Sequence, residues 1–175
     1  MASPEWREEA VAKKHDRKSF DCGERKLNEF LWLYARQSHE RGGAKTFVAV
    51  DARNGRTVFG YYSLSPASIV YARVPEIVRH GLGRYDVGAY RLSRLAVSAA
   101  MQGKGLGGQL LLAAGGCCLR VAEEVGGTVM LIDAKNERAA SWYGSYEAVP
   151  LLDAPLTLVL PLQTISAALK AARSE

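Results

Sequence analysis

The chain has little of what several large classes of protein require. Its three cysteines form neither an even set nor a metal-ligand spacing, and its three histidines are scattered, so the sequence predicts neither a disulfide framework nor a metal site. No apolar run approaches the length of a membrane-spanning helix. The charged N-terminal stretch lacks the apolar core of a secretory signal. These absences predict a protein of the reducing cytoplasm that has no membrane partner.

What is present fits a folded domain with a full core. The chain has 175 residues, of which 48% are hydrophobic, and this is enough apolar surface for one compact unit. No internal repeat or low-complexity linker divides the sequence. We therefore expect a single domain over residues 1–175.

The hydrophobic periodicity predicts an α+β order of elements. Strands are expected over residues 9–14, 46–50, 57–65, 90–97, 128–133 and 156–160. Helices are expected over residues 21–39, 105–124, 136–146 and 164–172. Residues 66–88 are expected to be mostly irregular, with a helical turn at 76–80. Asp21 and Asn136 are expected to cap their helices, and Asn54-Gly55 is expected to form a hairpin turn.

The most informative stretch joins a strand, a glycine-rich turn and a helix. The strand-like run 91–97 is followed by Gln102-Gly-Lys-Gly-Leu-Gly107 and then by the apolar segment 109–114. Glycines let the backbone approach an anion, and the free N–H groups and dipole of the helix start favour negative charge. The stretch therefore predicts a site for a phosphate-bearing cofactor, against the plainer alternative of a flexible surface turn.

Three motifs compete for these glycines. The Walker pattern G-x-x-x-x-G-K-[ST] is absent, which argues against a nucleotide triphosphatase. The dinucleotide pattern fits Gly103, Gly105 and Gly108, but only residues 109–175 follow, and a doubly wound domain needs more βα units than that. The third pattern is Gln-x-x-Gly-x-Gly at residues 102, 105 and 107. It resembles the acyl-CoA-binding motif of the GNAT acetyltransferases, in which the turn cradles the diphosphate of coenzyme A.

The order of elements resembles GNAT acetyltransferases over almost the whole chain. The resemblance implies a single α+β GNAT-like domain with a central mixed twisted sheet, helices on both faces, and a splayed strand pair that holds acetyl-CoA. The strand that pairs with the pantetheine arm corresponds to residues 95–97, and the strand at 128–133 splays away from it. The cofactor-binding residues are then expected to be Leu95, Ala96, Val97, Gln102, Gly103, Lys104, Gly105, Leu106, Gly107, Gly108 and Asn136.

A narrower set of patterns is similar to the tRNA-acetylating, TacT-type toxins of bacterial toxin–antitoxin modules. The patterns are Phe20-Asp-Cys-Gly23 with Leu27-Asn28 and Leu31, Thr46-Phe-Val48, Gly60-Tyr-Tyr-Ser-Leu64, Arg94-Leu-Ala-Val97, Ala140-Ser-Trp-Tyr143 and Leu156-Thr-Leu-Val-Leu-Pro161. The resemblance implies an aminoacyl-tRNA substrate, a homodimer, and an antitoxin with a ribbon-helix-helix part. One departure stands out. The family continues Tyr-x-x-Phe-Gly-Phe, whereas Glu147-Ala148 replace the Gly-Phe pair here, so the packing after the short helix is expected to differ.

Tyr143 is the candidate catalytic residue. Acetyl transfer from a thioester to an amine needs a fixed donor, a neutral amine and an acid for the leaving thiolate. A phenol is protonated at neutral pH and can supply that proton. An α-amino group has a reference pKa of roughly 7.7–8.0, so an aminoacyl ester needs no dedicated base, and no carboxylate pair in the sequence stands out as one. Without the resemblance, a packing role for Tyr143 would be favoured.

The positive charge is unevenly distributed. Residues 46–100 carry seven basic side chains against three acidic ones, whereas residues 101–175 carry six against seven. Four arginines near the cofactor turn are therefore candidates for binding the RNA backbone, namely Arg79, Arg84, Arg91 and Arg94. A solvated basic surface is the plainer alternative, and Arg94 has a rival structural role within its strand.

Two other functions stay open from the residues alone. The first is a GNAT enzyme that acts on a small amine, a peptide or a protein. The second is a non-catalytic acyl-CoA-binding module that acts through a protein partner. The basic stretch favours an RNA substrate over a small one, and the presence of both the glycine turn and Tyr143 favours an enzyme.

Overall fold

Seven strands form one mixed sheet in the computed structural model, which describes residues 3–174. The strands are β1 (Trp6–Ala10), β2 (Lys45–Asp51), β3 (Val58–Ile69), β4 (Val87–Val97), β5 (Val129–Asp133), β6 (Val149–Pro150) and β7 (Thr157–Pro161). Their order is β1-β2-β3-β4-β5-β7-β6, so β1 and β6 lie at the edges. This is the α+β fold with a central mixed sheet that the sequence predicts.

The helices account for most of the remaining chain. They are α1 (Arg25–Glu29), α2 (Ala35–Glu40), α3 (Leu106–Val125), α4 (Glu137–Gly144) and α5 (Leu162–Arg173), with a π-helical segment, Phe30–Tyr34, between α1 and α2. Short 3₁₀ turns occur at Tyr71–Arg73 and Ala99–Met101. Within residues 3–174, none of the helices combines the length and the apolarity that crossing a bilayer requires.

The chain divides into two compact units. The first contains the residues up to Leu64 together with Arg94–Leu111. In it β1, β2 and the first part of β3 form an antiparallel meander. Its core is built around Tyr61, whose ring contacts those of Phe20 and Phe30. The Tyr61 hydroxyl donates to the carbonyl of Leu27 at 2.7 Å, so a fully buried phenol keeps a hydrogen bond.

The second unit contains Ser65–Ser93 and the residues from Leu112 onward. In it β4 pairs with β5 in parallel over Ala89–Leu92, and β5 pairs with β7 in antiparallel fashion. Its core contains Ile69, Val74, Val78, Val87, Ala89, Val129, Leu131, Leu151 and Val159. Strand β4 continues to Val97, five residues beyond its last partner position with β5.

Several predicted elements are confirmed with small shifts at their ends. The Asn54-Gly55 hairpin turn is present. Gly55 adopts φ 65, and the Asn54 side-chain oxygen accepts hydrogen bonds from the N–H groups of Arg56 and Thr57. Asn136 caps α4 by accepting from the N–H of Ala139 at 2.8 Å. The turn expected at residues 76–80 is also found, closed by a bond from Val78 N–H to Pro75 C=O.

Other predicted elements were wrong in position. The first strand occupies Trp6–Ala10 rather than residues 9–14, because the chain turns at Ala12, whose N–H donates to His15 Nδ1. The first helix begins at Arg25, not beside Asp21. Asp21 instead accepts hydrogen bonds from the Gly23 N–H and the Asn28 amide, which shape the turn before the helix.

The region 66–88, expected to be irregular, contributes six residues to strands, because β3 continues to Ile69 and β4 begins at Val87. Proline cannot donate within a ladder, but the register of β2 with β3 ends at Leu64. Pro66 therefore lies beyond that pairing and interrupts none of its hydrogen bonds. The two-residue strand β6 was missed, because Val149–Pro150 is too short to show any alternation.

A matched pair of glycines in α3 tests the packing of the second unit. A Cβ at Gly115 would lie 2.4 Å from Cγ2 of Ile165 in α5, whereas one at Gly116 would meet only ordinary contacts at 3.7 Å and beyond. We expect Gly115→Ala to lower the free energy of unfolding by about 1–3 kcal/mol through overpacking. Gly116→Ala should raise it by about 0.5–1 kcal/mol, because alanine loses less backbone entropy in a helix. Urea denaturation measures both, and equal effects would contradict the packing of α5 on Gly115.

Candidate functional site

The glycine turn lies in the first unit between the end of β4 and the start of α3. Gly103 and Gly105 adopt φ values of 78 and 84, in the left-handed region that favours glycine. A Cβ added at either would meet nothing within 4 Å, so the surface of the turn is open. The side chain of Leu106 is buried, while Lys104 is exposed. The turn therefore presents backbone and one cationic side chain to an incoming group.

Gln102 braces this turn. Its side-chain nitrogen donates to the carbonyls of Cys22 and Val97, each at 2.9 Å. These bonds tie the turn to the end of β4 and to the segment before α1. The glutamine that the sequence motif marks as cofactor-binding is therefore a structural support, at least through its amide nitrogen.

The strand residues before the turn differ in orientation. Ala96 is buried in the core of the first unit, whereas Leu95 and Val97 are half-buried on the opposite face of β4. All three lie beyond the register that β4 shares with β5, which ends at Leu92. The backbone groups on that side of Leu95–Val97 are therefore placed to pair with something other than β5.

Tyr143 lies in the last turn of α4, in the second unit. Its side chain is 5% exposed, and its ring meets that of Trp142 edge-on at 5.0 Å. Burial, and after it the negative charge of Asp133, raise the pKa of Tyr143 above that of a free phenol. The phenol is therefore held in its protonated form well above neutral pH. Among the described residues, no group accepts a hydrogen bond from its hydroxyl.

Asp133 is a residue of this region that sequence reasoning missed. It ends β5, and its carboxylate accepts a hydrogen bond from Arg91 Nη1 of β4 at 2.7 Å. Both side chains are more than a third exposed, so the ion pair is partly solvated. The only sequence signal for Asp133 was a carboxylate placed directly after a buried strand.

The four candidate RNA-binding arginines have different surroundings. Arg91 pairs with Asp133. Arg94 places its guanidinium 3.7 Å from the centre of the Phe30 ring, a structural cation–π contact. Arg79 donates to the carbonyls of Val74 and Ala72, so it supports its own loop. Arg84 is exposed and has no ion-pair partner among residues 3–174.

The structure distributes the expected site residues between the two units. Leu95–Val97 and the turn 102–108 belong to the first, while Asn136, Tyr143, Arg79, Arg84 and Arg91 belong to the second. The side-chain oxygen of Asn136, expected to bind the cofactor, accepts the capping bond of α4. That side chain therefore positions the helix that carries Tyr143.

The structure shows the backbone at Glu147, which replaces the glycine of the family's Gly-Phe pair. It adopts φ 73, the left-handed conformation that a glycine takes easily. The turn is closed by hydrogen bonds from the N–H groups of Tyr146 and Ala148 to the carbonyl of Tyr143. Ala148 is buried in the position where the family has an aromatic ring. The backbone after α4 is thus held in a turn suited to glycine although a glutamate occupies the position.

Two curated relatives match most of the chain. A tRNA-acetylating toxin of Mycobacterium tuberculosis is 36% identical over 142 residues, which are 81% of this chain and 83% of the relative. A probable toxin TacT of Sinorhizobium fredii is 30% identical over 163 residues, which are 87% of this chain and 88% of the relative. No family model matches the chain.

Solved structures share the fold. AtaT complexed with acetyl-methionyl-tRNAfMet is similar with a TM-score of 0.86 and 25% identity, over 94% of this chain and 99% of that one. A mutant of the AtaT toxin bound to the C-terminus of the antitoxin AtaR and to acetyl-CoA has a TM-score of 0.80 and 24% identity, over 94% and 98%.

The positive φ of Glu147 leads to a prediction about stability. Glu147→Gly should raise the free energy of unfolding by about 1 kcal/mol, because it removes the steric cost of a Cβ at positive φ. Glu147→Ala serves as the control, since it removes the charge but keeps the Cβ. Thermal and urea unfolding of the three proteins measure the difference. An equal gain from both variants would attribute the effect to charge and contradict the backbone explanation.

Proposed function

The chain belongs to the family of tRNA-acetylating, TacT-type toxins, and we propose that it transfers the acetyl group of acetyl-CoA to the α-amino group of an aminoacyl-tRNA. It is an N-acetyltransferase. The observation that carries the substrate class is the 36% identity, over four fifths of the chain, to a tRNA-acetylating toxin. An acetylated α-amine can no longer form a peptide bond, so the activity blocks translation.

The glycine turn is the part of the chain that fits the cofactor diphosphate. The left-handed glycines leave the turn open, and the free N–H groups at the start of α3 supply hydrogen-bond donors. Lys104 adds a positive charge at the same turn. Beyond the register with β5, the edge of β4 at Leu95–Val97 suits the amide groups of an extended arm. When bound, acetyl-CoA supplies the activated acetyl group as a thioester.

Tyr143 fits the role of the acid. In the transfer a bond forms between the amine nitrogen and the acetyl carbon while the carbon–sulfur bond breaks. The departing sulfur takes the electron pair and accepts the proton of the Tyr143 hydroxyl. Burial raises the pKa of Tyr143, so the hydroxyl stays protonated at neutral pH and its proton is available for the departing sulfur. The hydroxyl is available because no described residue accepts from it.

The acceptor amine needs little help from the protein. A free α-amino group has a reference pKa of roughly 7.7–8.0, and an adjacent ester lowers it further, so much of it is neutral at pH 7. This agrees with the chemistry of the described residues near α4, where Asp133 is already paired with Arg91. A dedicated carboxylate base is not required.

A toxin of this kind needs a restraining partner. The related toxin AtaT has been solved with the C-terminus of its antitoxin. We propose for this chain an antitoxin with a ribbon-helix-helix part, as the resemblance to TacT-type toxins implies. Its tail should combine apolar anchors with acidic residues, because the toxin carries a formal charge of +5. A homodimer that acts in the cytoplasm, where charged tRNA is found, completes the proposal.

The proposed reaction predicts a specific loss in Tyr143→Phe. This variant should fold and bind acetyl-CoA but slow the transfer roughly 10²–10⁴-fold, the usual effect of a positioned general acid. The protein is mixed with acetyl-CoA and a pool of charged tRNA, and mass spectrometry of the released aminoacyl groups identifies the acetylated amino acid. Tyr146→Phe, three residues further on in the turn after α4, is the control and should keep the wild-type rate. Absence of any acetylated aminoacyl group with the wild-type protein would favour a small-amine or protein substrate.

Arg84 is the expected RNA contact whose loss leaves the fold unchanged. Arg84→Ala should weaken tRNA binding and reduce the slope of log affinity against log salt by about one, because one phosphate contact is lost. Its melting temperature should not change, since the side chain is exposed. Arg173→Ala at the end of α5 removes the same charge as a control. Equal losses in the two variants would indicate a general charge effect and contradict a contact by Arg84.

A further inference from the structure

One face of β4 carries two polar residues, Arg91 and Ser93, between apolar ones. Side chains of a strand alternate between faces, so Ala89, Arg91 and Ser93 share one face. Ala89 packs in the core of the second unit with Val129 and Leu131 of β5. Arg91, the next residue on this face, pairs with Asp133. Ser93 follows directly after Leu92, where the register with β5 ends.

The Ser93 hydroxyl has no hydrogen-bond partner. Its Oγ atom is sealed from solvent, and among the described residues no group donates to it or accepts from it. A buried hydroxyl in this state is costly, because it loses its bonds to water and gains none. The buried hydroxyl of Ser63 shows the usual solution, since it shares a hydrogen bond with Thr46 at 2.8 Å.

Ser93 can still reach a ligand. The residue as a whole is half-buried rather than buried, and a serine side chain has three staggered positions about χ1. Rotation about that bond gives the hydroxyl two positions other than the sealed one. Arg91 and Asp133 satisfy each other at 2.7 Å, so neither needs Ser93 as a partner.

The position of Ser93 along β4 indicates which part of a ligand it would meet. Four residue steps, about 13 Å of strand, separate Ser93 from Val97, which precedes the turn. In the proposed function the diphosphate binds at the turn and the extended arm runs back along β4. The arm carries its thioester at the end distant from the diphosphate. The reacting carbonyl is therefore expected at the Ser93 end of the unpaired part of β4.

We propose that the Ser93 hydroxyl donates a hydrogen bond to the carbonyl oxygen of the acetyl group, and this proposal rests on the proposed function. The carbonyl oxygen gains negative charge as the amine nitrogen adds to the carbon, so the bond from Ser93 strengthens as the reaction proceeds. The serine keeps its proton throughout. The proton for the sulfur still comes from Tyr143, and the amine releases its own proton to solvent. Ser93 thus supplies a hydrogen-bond donor whose only partner is the reacting group.

The test compares two ligands that differ only in the acetyl group. Calorimetry measures the affinities of the wild-type protein and of Ser93→Ala for acetyl-CoA and for free CoA. We expect Ser93→Ala to weaken acetyl-CoA binding about tenfold and to leave CoA binding unchanged, because only acetyl-CoA carries the carbonyl. The transfer rate should fall about 10²-fold, the lower end of the range for loss of one donor to a developing oxyanion. The melting temperature of the free protein should stay the same or rise, since the removed hydroxyl had no partner.

Ser63→Ala is the matched control. It removes a buried hydroxyl that has a protein partner, so it should lower the melting temperature and leave the ratio of the two affinities unchanged. Ser93→Thr retains a hydroxyl and should restore the preference for acetyl-CoA.

Three results would overturn the role of Ser93. Equal losses for acetyl-CoA and CoA would assign the hydroxyl to the arm instead of the acetyl group. Unchanged affinities for both ligands would remove it from the site. A lower melting temperature with an unchanged affinity ratio would make it a structural residue. A wild-type protein that binds neither ligand would contradict the proposed function itself, and the role of Ser93 with it.

Discussion

The parallel ladder between β4 and β5 holds Ala89–Leu92 against Val129–Ile132 and then stops, while β4 runs on to Val97. A strand that outlasts its partner keeps its backbone donors and acceptors on that side. The proposed cofactor site depends on this length difference. The glycine turn is attached to the free end of β4, and the helix with Tyr143 follows the strand that stops early. Apolar packing ends at the same level, where Arg91 and Asp133 replace the core residues.

Some polar side chains of this region make hydrogen bonds within the protein, whereas others do not. Gln102 and Asn136 both stand at positions expected to bind the cofactor, yet the structure uses both to hold backbone in place. The buried Ser93 hydroxyl has no partner among the described residues, and none of these residues accepts a hydrogen bond from the Tyr143 hydroxyl. Buried polar groups are normally satisfied. An enzyme that must hold and release its substrates has a reason to leave such groups for the substrate.

The sequence predicts the broad fold, the glycine turn and the cap of α4 well, because those depend on local signals. Glycines at 103 and 105, the Asn136 cap and the apolar strand before it act within a few residues of themselves. The contacts that the sequence does not reveal join distant residues. The side chain of Gln102 finds its partner at Cys22, eighty positions away, and the ion pair of Arg91 with Asp133 joins two strands. The true start of α1 depends on how Asp21 and Asn28 bond to each other. No local pattern contains these pairings.

The edges of the sheet have a consequence for the behaviour of the protein at high concentration. A free strand edge invites another chain to add to it, and proteins counter this with charge, proline or very short edge strands. The strand at one edge of the described sheet, β1, is Trp-Arg-Glu-Glu-Ala. The strand at the other edge, β6, has two residues, one of them Pro150. Neither of these two edge strands is a good template for strand addition, so neither invites copies of this chain to polymerise through it.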